Sequence, residues 1–373
     1  MIENQTLGII FSSMHDTILG ELTAHRTTGS VPFGGRYRFI DFTLSNMVNA
    51  GISDVGVIAK SNYQSLLDHL GSGKEWDLSR RGGGLHILPP FSSNHTNIYR
   101  GRIEALAGII GYIKHSKAKY VIMTDCNVIA NMDYAEIIEK HAQSGCDITM
   151  AYKKMDITDV NEDTNVLLTV SQNGQVSDIT KCVSAVKGAN VALNICVMKK
   201  STLEKMVEYC SAHNYYSFRR DILLSRDRQY TINAYEFKGY AALIQNTKDY
   251  FDSNMDLLRK QVRDDLFCPE RPIYTKVHDE MSAHYGLGSS VKNSLLADGC
   301  VIKGEVENSI IFRGVTVGEG AVVKNSVVMQ STEIADGAEL NYVFTDKNVV
   351  ITEGRKINGF ETYPIYIPKN KEV

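Results

Sequence analysis

The segment Val291-Lys-Asn-Ser-Leu-Leu-Ala-Asp-Gly-Cys-Val-Ile-Lys-Gly-Glu-Val-Glu-Asn-Ser-Ile-Ile-Phe312 opens a repeat. Asn-Ser followed by two aliphatics recurs at Asn293, Asn308 and Asn325, and glycine with an aliphatic three residues on recurs at Gly299, Gly320 and Gly337. Threaded through both are Val291, Leu296, Ile302, Val306, Ile311, Val317, Val323, Val328, Ile334 and Leu340, at steps of mostly five or six residues. Each such unit is one short flat strand with a single inward aliphatic, plus a corner whose backbone suits Gly or Asn. One coil cannot bury its own core, whereas stacked coils can. An antiparallel sheet of short strands would instead show period two within strands and irregular spacing between them. Residues 286–373 are therefore expected to form a parallel β-helix.

Upstream, short apolar runs alternate with amphipathic stretches, which is how a parallel sheet covered by helices appears in sequence, so the first domain reads as α/β. Strands are expected over 7–11, 55–59, 120–124, 148–152, 192–198 and 230–237, with Asn173-Gly174 turning a hairpin. Helices are expected over 40–48 with Gly51 as cap, over 103–113, 134–144, from about 200, and over 247–258. The run 120–124 is apolar on both faces, hence central, and Asp125 stands at its end. Pro269 and Pro272 forbid a continuous helix. The division is thus 1–262 for the α/β domain, 263–285 for the linker and 286–373 for the repeats, and 373 residues suit two domains.

Composition excludes several classes. A formal charge of −3 without any basic block argues against nucleic-acid binding, which needs clustered Lys and Arg on phosphates. Seven cysteines stand singly with no C-x-x-C spacing, against metal clusters or a disulfide framework, and their apolar neighbours suit small buried hydrophobes. His15, His25, His69, His86 and His95 lack metal-ligand spacing and read as surface or loop residues. Gly82-Gly83-Gly84 lacks a following Lys at a helix start, so it reads as a flexible loop and not as a P-loop. No leader-like start and no run of eighteen apolar residues occurs, which points to a reduced, cytoplasmic protein with no membrane association.

Val31-Pro-Phe-Gly-Gly-Arg-Tyr-Arg-Phe-Ile-Asp-Phe-Thr-Leu-Ser-Asn46 closely resembles the segment by which glucose-1-phosphate adenylyltransferases are recognised. Gly71-Ser-Gly-Lys-Glu-Trp-Asp77, the segment from Gly84 to Pro89-Pro90, Asn254-Met-Asp-Leu-Leu258 and the C-terminal repeats extend the resemblance from about residue 7 to 354. It implies a Rossmann-like nucleotidyltransferase domain joined to a left-handed β-helix, assembly into tetramers, and synthesis of ADP-glucose and pyrophosphate from ATP and glucose 1-phosphate.

Such chemistry needs bound phosphates, a placed divalent cation and stabilised charge. The family's Gly-rich phosphate loop would fall on 13–18, where Ser13, Met14, Asp16 and Ile18 replace its glycines and arginine. Close backbone approach to a triphosphate is hindered there, and Asp16 repels it. The family's lysine falls on Thr28, its first metal aspartate on Asp125, and its second on Leu243. A cation held by one carboxylate is weakly placed. Lys181 matches the sugar-phosphate lysine, and Arg219, Arg220 and Asp221 fall where substrate residues would, so Lys181, Arg220 and Asp221 are the candidate substrate-binding set. Arg36 and Arg38 lie in a region that, in the family, adjoins the effector site and subunit contacts.

The dismantled site resembles the non-catalytic, GlgD-type member that pairs with a catalytic homologue. A regulatory or stabilising subunit of a hetero-oligomer is therefore expected, with weak or no activity alone. The alternatives are a slow enzyme using Asp125 and Lys181, and a sensor of sugar phosphates or nucleotides without catalysis. No tightly bound cofactor is expected, and Mg²⁺ only if catalysis survives. Self-association is expected too, because a parallel solenoid exposes strand edges and an open core end.

Overall fold

The computed structural model describes residues 5–14, 16–17, 19–89, 99–158, 165–225 and 229–373. His15, Ile18, Pro90 and His95, singled out above, lie outside the described residues. In the first domain β1 (Thr6–Phe11), β2 (Asp54–Ile58), β3 (Gly84–Leu88) and β4 (Tyr120–Asp125) are parallel, in the order β3-β2-β1-β4. Every residue of β1 and β4 is buried, as strands covered on both faces must be.

Besides a short antiparallel pair at Pro32–Phe33 and Tyr37–Arg38, the domain has β5 (Val128–Ala130), β6 (Ile148–Ile157), β7 (Val166–Val170), β8 (Val176–Lys181), β9 (Val186–Lys199), β10 (Ile232–Glu236) and β11 (Ala241–Leu243). β9 enters antiparallel to β4 and carries β6 and the β7–β8 hairpin, while β10 lies parallel to β6. The hairpin turns at Asn173-Gly174, with Gly174 at φ 82°. β5 and β11 form a separate pair.

The helices are α1 (Phe39–Asn49), α2 (Gln64–Leu70), α3 (Arg102–Gly108), α4 (Ile110–His115), α5 (Tyr134–Ser144), α6 (Lys200–Ala212), α7 (Thr247–Asp256) and α8 (Lys260–Leu266). The single helix expected over 103–113 is two, because Ile109 leaves helical geometry at φ −108°. α8 carries the chain past residue 262 and stops ahead of Pro269.

Gly82 and Gly83 lie in an exposed bend that leads into β3, where a Cβ on Gly83 would lie 2.8 Å from the Ser53 carbonyl and one on Gly84 2.7 Å from that of Leu78. The reading of His69 as a surface or loop residue needs correction. His69 is buried in α2, its Nε2 2.5 Å from Asp41. Six cysteines are buried and free and Cys268 is half-buried. Among the described residues no helix is long and apolar enough to cross a membrane.

α5 contains a buried histidine with a measurable consequence. Its N-terminus is capped by Asp133, which accepts from the Ala135 and Glu136 amides at 2.9 and 3.2 Å. His141, on the buried face, sits 2.9 Å from Thr149 Oγ1, and burial lowers its pKa from 6.5 to about 4. The unfolded chain then binds a proton between these values that the native protein does not. Stability is full above about pH 6.5 and falls as pH drops toward 4, by an amount of order 2 kcal/mol. In urea titrations His141→Gln should flatten this pH dependence, and an unchanged slope would exclude His141 as its source.

The C-terminal domain is three five-stranded parallel sheets, the architecture of a left-handed β-helix. Val291, Val306, Val323, Leu340 and Ile357 stack in one sheet, and Ile302, Val317, Ile334 and Ile351 in another. Leu296, Ile311 and Val328 stack in the third. Asn293, Asn308 and Asn325 hold the left-handed corner at φ 43°, 46° and 46°. Their side-chain amides form a ladder, Asn293 to Asn308 at 2.7 Å, Asn308 to Asn325 at 3.3 Å and Asn325 to Asn341 at 2.9 Å.

The third sheet is apolar on its outer face as well. Ile310, Val327 and Phe344 point out of the solenoid, stack in register, and belong to the same hydrophobic core as α1 and α7. Phe344 lies 6.0 Å from the rings of both Tyr250 and Phe251. Beside it, buried Arg26 donates to both carboxylate oxygens of Asp346, at 2.8 and 2.9 Å.

Candidate functional site

The order β3-β2-β1-β4 reverses direction at β1/β4, so the crevice beyond their C-terminal ends is where an open α/β sheet binds ligands. Phe11 and Asp125 are in register there. The chain leaving β1 turns at once: Ser12 donates through its amide and hydroxyl to the Ile58 carbonyl, at 3.1 and 2.8 Å. Ser13 follows, buried, with its hydroxyl 3.4 Å from Tyr99 OH. Met14 packs against the apolar core on that side of the sheet.

Asp16 and Thr28, both singled out by their departure from the family pattern, meet. Asp16 Oδ1 accepts from the Thr28 amide at 2.7 Å and from its hydroxyl at 2.8 Å. The Gly29 amide donates back to Ser12 at 2.9 Å. The Thr28 amide and hydroxyl are thus both spent on a carboxylate, which itself adds negative charge.

Asp125 is fully buried, and Arg102 Nη2 donates to its Oδ2. The Arg102 guanidinium also lies over the Phe11 ring, 5.3 Å from its centroid. Burial pushes up the nearby thiols of Cys126 and Cys196, the latter to about 12, so neither is a nucleophile at neutral pH. Leu243 pairs with Val128, three residues past Asp125, and packs on Ile157, Cys182 and Val191. That contact draws in the end of β8, where Lys181 is exposed. Among the described residues no group of three or more His, Cys, Asp or Glu is placed to hold a metal ion.

Arg219, Arg220 and Asp221 sit in one π-helical turn, Phe218–Leu223. Asp221 Oδ2 accepts from the Tyr216 and Ser217 amides at 3.0 and 2.9 Å, and its Oδ1 accepts from Arg220 Nε at 2.7 Å. The Tyr216 ring contacts the guanidinium groups of Arg100 and Arg220, at 4.5 and 4.4 Å. Its carbonyl accepts from the Ile103 amide at 3.1 Å, which brings this turn against the start of α3. A Cβ on Gly101 would stand 2.4 Å from that carbonyl, so only glycine permits the approach that delivers Arg102 to Asp125.

Arg102 was not anticipated. The available signal was a cation in the first turn of a helix, where the dipole disfavours it and a carboxylate partner is called for.

A second polar feature lies between the domains. Arg36, Arg38, His69, His278, Arg313 and Lys347 line a cavity of about 180 Å³. Burial, then the nearness of Arg38 and Arg26, lowers the Lys347 pKa to about 7, and burial lowers that of Arg38 to about 10. Burial is the main cause of both shifts, and Asp41 beside Arg38 and Asp346 beside Lys347 offset it only in part, so an anion entering the cavity would meet cations held away from water.

Fold and site together define a nucleotidyltransferase-type α/β domain carrying a hexapeptide β-helix. Family models agree: a nucleotidyl transferase model matches residues 7–165, and a GlmU-like C-terminal hexapeptide model matches 277–362. The chain is 38% identical, over 99% of its length and 97% of the relative's, to the glycogen biosynthesis protein GlgD of Bacillus subtilis. It is 36% identical to that of Geobacillus stearothermophilus, over 86% of this chain and 84% of the relative. To the glucose-1-phosphate adenylyltransferase of Clostridium perfringens (strain SM101) it is 31% identical, over 87% and 84%. The chain belongs to the glucose-1-phosphate adenylyltransferase family.

Proposed function

We propose that this chain is a regulatory or stabilising subunit of a glucose-1-phosphate adenylyltransferase in bacterial glycogen biosynthesis, acting in the cytoplasm as part of a hetero-oligomer with a catalytic homologue. The observation that carries the reading is the Asp16–Thr28 clasp, in which two positions required for triphosphate binding consume each other's polar groups. A lost electrostatic donor alone typically costs ~10²–10³ in rate. Likeness to GlgD proteins along nearly the whole chain supports the same reading.

The scaffold around the clasp is intact, and the basic cavity between the domains is read as the place where an anionic effector acts. Arg36 and Arg38, which the family resemblance sets near its effector region, both line it. No tightly bound cofactor belongs to this reading, and Lys181, Arg220 and Asp221 remain candidates for residual sugar-phosphate binding.

ADP-glucose synthesis should be measured with this chain alone, the catalytic homologue alone, and the two mixed. The expected result is negligible turnover by the chain alone and a changed rate or effector response in the mixture. Slow turnover by the pure chain that rises with Mg²⁺ and vanishes in Asp125→Ala would favour the slow-enzyme alternative, whereas a mixture identical to the homologue alone would end the subunit reading.

A further inference from the structure

The family's metal chemistry does not fit the residues present. One of its two carboxylates is replaced by Leu243, and Arg102 already engages the other, Asp125. Asp125 is fully buried while the Arg102 side chain keeps 16% of its surface exposed. A carboxylate withdrawn from water in this way needs a cation within hydrogen-bond reach, and a buried one left alone is strongly destabilising. The guanidinium meets that need: one positive charge against one negative, in a charge-assisted hydrogen bond.

A divalent ion added at Asp125 would find a like charge beside that carboxylate and, among the described residues, no group of three or more His, Cys, Asp or Glu to hold it. Mg²⁺ and Mn²⁺ prefer several oxygen ligands, and Asp125 Oδ2 is already engaged by the guanidinium. The pieces that hold Arg102 in place are equally specific. Gly101 allows α3 to start against the Tyr216 carbonyl, and the Phe11 ring supports the guanidinium from β1.

We propose that Arg102 is the resident cation of this crevice, standing in place of a divalent metal and barring one from Asp125. The site is thereby a metal-independent one, silenced by an internal ion pair in addition to its altered phosphate loop. This deepens the reading of a degenerate active site and takes from it the correspondence of Asp125 with the family's metal aspartate. It does not depend on which partner the chain joins, so a failed mixing assay and a failed metal titration are separate results.

The test is Mn²⁺ binding to the full-length chain, followed by electron paramagnetic resonance and by thermal melts. The native chain should show no Mn²⁺ binding that Asp125→Asn removes, and no metal-dependent rise in melting temperature. Arg102→Ser should gain one Mn²⁺ site at least tenfold tighter than any in the native chain, be stabilised by Mn²⁺, and lose both properties in the double variant with Asp125→Asn. Arg102→Lys keeps a cation and should behave like the native chain. Asp125-dependent Mn²⁺ binding by the native chain overturns the proposal, as does a folded Arg102→Ser variant that gains none. If Arg102→Ser does not fold, the comparison of native, Asp125→Asn and Arg102→Lys chains decides, with metal binding by Arg102→Lys counting against the idea.

Discussion

Replacing Asp346 with alanine should lower stability by about 3–5 kcal/mol, the usual cost of breaking a buried ion pair from one side. Arg26 and Asp346 are both almost fully buried, and the carboxylate is held by three groups. It accepts from Arg26 at 2.8 and 2.9 Å, from the Lys347 amide at 2.7 Å, and from the Tyr366 hydroxyl at 3.1 Å. Alanine leaves Arg26 charged, out of water and near Arg38 and Lys347, whose cations already disfavour one another. Because Arg26 belongs to the α/β domain and Asp346 to the solenoid, the loss weakens their attachment. Urea unfolding monitored by intrinsic fluorescence measures the cost. A change below about 1 kcal/mol would mean that water reaches the pair and screens it.

Phe344→Ala should have an effect of similar size, about 3–5 kcal/mol, for a different reason. The ring is 1% exposed and lies among Tyr250, Phe251 and Tyr366. Its removal leaves a cavity between a solenoid of flat strands and the packed helix α7, neither of which can collapse readily into the space. The two domains share one hydrophobic core across this seam, so they are expected to unfold together in the native chain. In Phe344→Ala the calorimetric transition should move down and broaden or split, as the solenoid melts apart from the domain it no longer braces. A single sharp transition at the original temperature would contradict the shared core. The variant also bears on function, since the basic cavity lies along this seam and needs both domains to be held in place.

Much of the fold was legible because its signals are periodic. The inward row of the solenoid, from Val291 to Leu340, stacks as the hexad spacing requires, and the corner asparagines and glycines adopt positive φ. The repeated pair of aliphatics after Asn-Ser also held information that periodicity alone does not decode. Val328 faces into the solenoid, whereas its neighbour Val327 faces the other domain, and adjacent strand residues must point to opposite sides. Strand ends and short helices were less legible. β6 runs past its apolar core to buried Ile157, β9 begins as an exposed arm ahead of its own, and α3 and α4 are split at Ile109, a residue with no breaker chemistry.

For the site, sequence spacing located Asp16, Thr28, Asp125 and Leu243 one by one, as departures from or matches to a pattern. It could not show that Asp16 binds Thr28, since twelve residues separate them and nothing local brings them together. Nor could it pair Arg102 with Asp125, which depends on where α3 starts relative to β4 and on the close approach at Gly101. His69 likewise read as a surface residue because its partner Asp41 lies on another helix.

By itself, then, the sequence determined the two architectures, the course of the central strands and which chemical groups are missing from the crevice. The architectures and strands follow from short-range rules, side-chain period and turn stereochemistry, and the missing groups from the resemblance to the family's motifs. Only the tertiary structure decided which charges meet: Asp16 with Thr28, Arg102 with Asp125, Arg26 with Asp346, and the cations gathered around the interdomain cavity. Electrostatic and hydrogen-bond energies depend on distances of a few ångströms between residues far apart in the chain, and packing alone sets those distances.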